Sequence, residues 1–294
     1  MSLDDLLKPA QRALGNALRS RVAGSDADER GKQIWGTVGP RWFAATDPIW
    51  KVHGDASMFA GGVTALLLQS LHPLAMAGVA GHSGYKSDPW GRLQRTSNYI
   101  AATTYATIED ATAVIERVKT AHARVRGKDY RGRPYRASDP HLLAWVHAAE
   151  IDSFLRAYQA YGPEPISPEQ ADEYVAQAGI PARLLGVVDP PRSVAELAEV
   201  LASYRDELEP SPPAIEAATF LLRQPPLSWA ARPGYWTLAA GGVALLPDWA
   251  REALELDLPG PVDLALGPLG SFGTAAVRWG LAGVENRRSA PVAG

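Results

Sequence analysis

The chain has 294 residues, 46% hydrophobic and 21% charged, with 29 basic against 32 acidic side chains and a net charge of -3. That balance fits a globular protein with ample core and argues against a nucleic-acid or anionic-membrane partner. The absence of cysteine excludes disulfides and every cysteine-based metal site.

The N-terminal segment MSLDDLLKPAQRALGNALRSRV is amphipathic and charged. It lacks the apolar core of a signal peptide, so a cytoplasmic location is the default expectation, with residues 1–50 as a helical extension. Ala60 to Ala80 is the longest apolar stretch and approaches the length of a membrane span. Gln69, Ser70, His72, Pro73 and the Gly61-Gly62 pair interrupt it, which predicts a buried core helix and no integral membrane span.

Asp88 followed by Pro89 marks a helix start. That helix carries Arg92, Thr96, Tyr99 and Thr103 on one face. Thr107 and Asp110 have the spacing of a capping box for the next helix, and Gly127 is placed to close it. A polar loop, KDYRGRPYRAS, follows. Ser138-Asp139-Pro140 opens a helix whose face reads His147, Ile151, Phe154, Tyr158, Tyr161, and Gly162-Pro163 closes it.

Ser167 with Gln170 and Ser193 with Glu196 predict helices over 167–178 and 193–208, the first ended by Gly179 and Pro181. Pro210 to Pro213 and Pro225-Pro226 read as turns, with shorter helices at Ile215 to Arg223 and Tyr235 to Leu246. The Pro/Gly-rich stretch LPGPVDLALGPLGSFG, Leu258 to Gly273, reads as irregular, and the final ENRRSAPVAG as a loose tail. Without a repeat or a long linker, one mainly helical domain is expected.

His122 is the most informative side chain. It lies on the apolar stripe Ile108, Ala111, Ile115, Val118, His122, Val125, whose intervals of 3, 4, 3, 4 and 3 keep one helix face. An imidazole facing the core needs a hydrogen-bond partner or a metal, because an unpaired buried polar group costs on the order of 1–3 kcal/mol. A backbone carbonyl would meet that need; so would haem iron. His147 lies on a patterned helix face one helix later, where a packed histidine bonded to a neighbouring helix is the ordinary reading. No H-x-x-x-H, H-E-x-x-H or Glu-x-x-His pattern occurs, and His141 and His147 fall on different faces, so local spacing builds no metal cluster. Gly81-His82-Ser83-Gly84-Tyr85 approaches the G-x-S-x-G nucleophile elbow but has tyrosine in the last glycine position. A hydrolase using Ser83 is therefore a weaker reading than a haem site built from helices. In such a site His122 is the candidate ligand, and Arg92, Arg95 and Arg126 are candidates for the propionates or bound oxygen.

The segments GGVTALLLQSLHPLAMAGVAGHSGY, DPWGRLQRT, AHARVRG and Y-x-A-x-DPHLLAWVHAAEIDSFL, in that order, resemble the MpaB-type oxygenase family, which includes the latex-clearing rubber oxygenases. The resemblance runs over roughly residues 50 to 260. It implies an all-α, globin-like core over 51–260 that holds haem b, with 261–294 as a C-terminal segment packed on it. It implies His122 as axial iron ligand, with Arg126, His147, Arg92 and Thr96 binding or flanking the cofactor and Arg92, Arg95 and Thr96 as the catalytic set. Arg95 stands where latex-clearing proteins carry a lysine able to reach the distal iron position, and a guanidinium is a poor iron ligand. If His72 and His82 supply no second ligand, the distal site is open. The expected substrates are O2 and a small apolar or isoprenoid-like molecule, cleaved at C=C; polymeric polyisoprene fits less well with a short chain lacking a signal peptide. A noncatalytic haem carrier or sensor is the alternative.

Overall fold

A computed structural model describes residues 3–24 and 26–284. Among these are fourteen α-helices, two short 3-10 turns and one two-stranded hairpin, an all-α single domain. The predicted loose tail lies outside the described residues.

Helices α1 (Leu3–Ala23), α2 (Ala27–Gly36) and α3 (Pro48–Gly54) lead to α4 (Met58–Ser70) and α5 (Pro73–His82). The apolar stretch expected as one helix is therefore two, bent by 110°. Pro73 has no N–H and disfavours a helical residue before it. His72 accordingly takes an extended backbone, φ -84 and ψ 110, and Pro73 starts α5. No described helix is long and apolar enough to cross a membrane.

Helices α6 (Pro89–Tyr105) and α7 (Ile108–Arg124) begin at the predicted caps: Asp88 accepts from the Gly91 N–H and Thr107 from the Asp110 N–H. The end of α7 corrects the sequence reading. Val125 leaves the helix, and Arg126 enters β1 (Arg126–Lys128), which pairs with β2 (Pro134–Arg136) so that Arg126 faces Arg136. Gly127 is an exposed strand residue closely approached by Tyr135; a Cβ there would lie 2.8 Å from the Tyr135 hydroxyl. The glycine serves this close approach and does not cap the helix.

The central element is α8 (Pro140–Tyr161), capped by Asp139, which accepts from the His141 N–H. Its Trp145, Ala148, Ala149, Ser153 and Ala157 have no exposure, and α4 packs along it. One core cluster joins its Phe154 and Tyr158 to Tyr174 and Leu197. Another joins Trp145 to Leu67, Leu68 and Val243. Burying Ile151 and Phe154 stabilises the fold by about 1.5–3 kcal/mol each.

Helix α9 (Pro168–Leu185) starts at the predicted Ser167–Gln170 capping box but continues through Gly179 and Pro181. Buried Tyr174, Val175, Ala178 and Ala182 lie on both sides of that break, so tertiary burial overrides the proline penalty. Helix α10 (Val194–Ser203) is shorter than expected because Arg205–Glu207 tightens into a 3-10 turn. Helices α11 (Pro212–Arg223), α12 (Arg232–Ala244) and α13 (Asp248–Ala253) follow.

The largest correction is α14 (Gly260–Ala282), a long helix containing Pro268 where an irregular stretch was expected. Its glycines form a contact surface. A Cβ on Gly270 would sit 2.4 Å from the Gly241 Cα of α12. Arg278 on α14 donates to both Asp55 carboxylate oxygens, at 2.8 and 2.9 Å, and to the Tyr161 carbonyl at 2.8 Å. This fork ties α14 to the end of α3 and the end of α8. Since α1 also packs on α14, the two terminal segments form one layer.

Candidate functional site

Helices α6 and α7 pack on each other, and neither packs closely along α8. Polar side chains occupy the sector between them. On α8, His147 and Glu150 are one turn apart and share a face. Burial pushes His147 down to about 4 and Glu150 up to about 7, so both are predominantly neutral just below neutral pH. Both nevertheless keep accessible surface.

Tyr99 of α6 lies within electrostatic reach of Glu150, its hydroxyl pushed well up by burial and secondarily by that carboxyl. Tyr174 of α9, also raised by burial, feels the same carboxyl. His53 of α3 joins Tyr174. Its Nδ1 is 2.9 Å from Thr104 Oγ1 and its Nε2 3.2 Å from the Tyr174 hydroxyl, and burial holds it down to about 3.

His122 occupies the last turn of α7 and is half-buried. Its Nδ1 is buried without a hydrogen-bond partner, and so is His147 Nε2. Burial lowers the His122 pKa below the ordinary histidine value, which keeps the imidazole neutral with a lone pair to offer. The carbonyl that would satisfy either ring is missing among the described residues. Orphaned imidazole nitrogens on two consecutive helices call for a reason, since buried polar atoms are nearly always paired; His72 is a third such ring, away from this sector.

Arg92 on α6 is half-buried and donates from Nη1 to Ser83 Oγ at 3.3 Å. Arg95 and Thr96 are exposed, and Arg95 reaches back to Asp88 at 3.3 Å. Arg126 is exposed on β1 rather than one helical turn beyond His122. The histidines and Arg92 thus keep partly buried positions, whereas Arg95, Thr96 and Arg126 face solvent. Ser83 is the C-cap of α5, its hydroxyl donating to the Val79 carbonyl at 2.7 Å. With a helix before it and no strand, the nucleophile-elbow geometry is absent there. His82 is exposed beside Tyr135, and His72 packs with Trp145 and Tyr204.

Sequence reasoning passed over Glu150 and His53. Glu150 carried a signal, standing three residues after His147 on the same face. His53 carried none, because Thr104 and Tyr174 reach it from distant elements.

A family model described as ER-bound oxygenase mpaB/B'/Rubber oxygenase, catalytic domain, matches residues 50–279. No curated protein and no solved structure matches the chain.

Proposed function

Because the chain belongs to the mpaB/rubber oxygenase family, we propose that it is a haem b-dependent oxygenase that uses O2 to cleave C=C bonds in a small apolar or isoprenoid-like substrate. The observation that carries the cofactor assignment is the pair of orphaned imidazoles, His122 and His147. The donor set fits noncovalent haem: a neutral imidazole, a half-buried cation in Arg92, and no cysteine for thiolate ligation or covalent attachment.

In this reading His122, neutral and with an unpaired buried Nδ1, would donate the lone pair that holds the haem iron. His147 orients the site from α8 without ligating, as supporting histidines do. Arg92 supplies fixed positive charge for a propionate or for oxygen, and Thr96 and Arg126 flank the solvent edge. Glu150 and His147, both neutral just below pH 7, leave that face of α8 uncharged, which suits an apolar substrate. Bound haem supplies the oxygen chemistry itself.

The test is oxygen uptake by haem-loaded protein with linear isoprenoid hydrocarbons, alongside mass spectrometry of trapped carbonyl products. Substrate-dependent uptake with aldehyde or ketone products is expected. Haem-loaded protein that consumes no oxygen across such a panel contradicts the proposal and favours a haem carrier or sensor.

A further inference from the structure

Away from this sector, three elements distant in sequence converge on one point. His72 is the N-cap of α5, His141 lies in the first turn of α8, and Glu207 ends the 3-10 turn after α10. One donor atom from each lies within 4.8 Å of the other two. His141 Nε2 is 2.8 and 2.9 Å from the Glu207 oxygens, and His72 Nε2 is 3.4 Å from one of them.

His72 is only 1% exposed, and neither of its ring nitrogens makes a hydrogen bond. A buried imidazole without partners is costly, yet this one aims Nε2 at a carboxylate and a second imidazole. We propose that His72, His141 and Glu207 bind a divalent cation of the zinc type, a site independent of the haem reading.

Two imidazoles and one carboxylate are a zinc donor set. Zinc bonds of roughly 2.0–2.1 Å in a tetrahedron place ligand atoms roughly 3.3–3.4 Å apart. The 3.4 Å His72–Glu207 separation already meets that requirement. The His141–Glu207 pair must open by roughly half an ångström on that geometry, and both side chains are about half exposed, at 54% and 43%, so they can move. Their exposure also leaves the fourth position to water.

The surroundings give His141 a partner on the ring nitrogen away from the cluster. The Tyr204 hydroxyl donates to the His141 carbonyl at 2.7 Å and lies 3.3 Å from His141 Nδ1. With the phenol proton committed to the carbonyl, the Tyr204 oxygen can accept a proton held on Nδ1, so Nε2, which donates to the Glu207 carboxylate in the metal-free protein, can release its proton and offer a lone pair to a cation. The Trp145 and Tyr204 rings, 6.2 and 6.1 Å away, fix the His72 ring. The Glu209 N–H donates to the Leu71 carbonyl at 2.9 Å beside the cluster, so a bound cation would reinforce an existing tie between the α4–α5 bend and the segment after α10.

The test is zinc titration of the full, tag-free chain against a chromophoric chelator, with His141→Ala and Glu207→Gln in parallel. Both substitutions fall at exposed positions, and circular dichroism checks their folding. One zinc per chain is expected for the wild type, with a zinc-dependent rise in melting temperature. Each variant should bind more than about 100-fold more weakly, since supporting contacts alone are worth about 10–100-fold, and should lose the rise. No zinc uptake by the wild type, or equal affinity in the variants, overturns the site. Haem content reads the other proposal separately and is expected to be unchanged in both variants.

Discussion

His147 and Glu150 stand one turn apart on α8, and burial drives them in opposite directions, to about 4 and about 7. Each is neutral where its free counterpart is largely charged. The pair therefore makes a polar wall without net charge in the sector where an apolar substrate is proposed to lie.

This relation gives the pair's own contribution to the pH dependence of stability. From about 4.5 to about 7 the unfolded Glu150 carboxyl ionises ahead of the folded one, so its contribution falls as pH rises. His147 acts in the opposite sense, favouring the folded state progressively from about 4 to 6.5. Above 6.5 only the Glu150 loss continues. Tyr99, Tyr174 and His53 face the same sector and are not charged there in this range. Glu150→Gln is expected to gain stability relative to wild type between pH 5 and pH 8 in urea denaturation. A constant difference across that range would show that Glu150 is not desolvated.

The distal side gives a spectroscopic prediction. Arg95 is solvent-exposed, paired with Asp88 at 3.3 Å, and a guanidinium has no lone pair to offer iron. Haem-loaded ferrous protein should bind carbon monoxide on mixing. A low-spin ferrous spectrum that barely responds would reveal a second protein ligand.

His147→Ala is expected to retain bound haem while shifting its spectrum or lowering turnover about 10–100-fold, the usual cost of losing a supporting contact. Haem content and turnover measured on the same sample check this. If His147→Ala loses haem and His122→Ala keeps it, the axial assignment is reversed.

Helix starts were legible because their signals are local: Asp88, Thr107, Asp139, Ser167 and Ser193 each cap the helix they were expected to open. The family motifs were legible as ordered segments. The bend at His72 and the strand at Arg126 were not, because a helical period continues on paper through Pro73 and past Val125. Helix α14 was missed for a related reason. Pro268 and the glycines read as breakers until Gly241 is seen against Gly270. The His72–His141–Glu207 cluster draws one residue from each of three elements, so no spacing could announce it.

The α12–α14 contact makes a paired prediction. Gly270→Ala brings a methyl within 2.4 Å of the Gly241 Cα and 2.9 Å of the Tyr161 hydroxyl, which should cost about 1–3 kcal/mol. Gly267 on the same helix has nothing within 4 Å of a Cβ, so Gly267→Ala should stabilise by about 0.4–1 kcal/mol. Thermal melts of the two variants should move in opposite directions.

The most direct test is the absorption spectrum of the purified protein reconstituted with haemin, compared with that of His122→Ala. The account predicts a Soret band with one haem per wild-type chain, and loss of that band in the variant while helical circular dichroism is retained. A wild-type protein that takes up no haem, or a His122→Ala variant that holds it fully, would contradict the account.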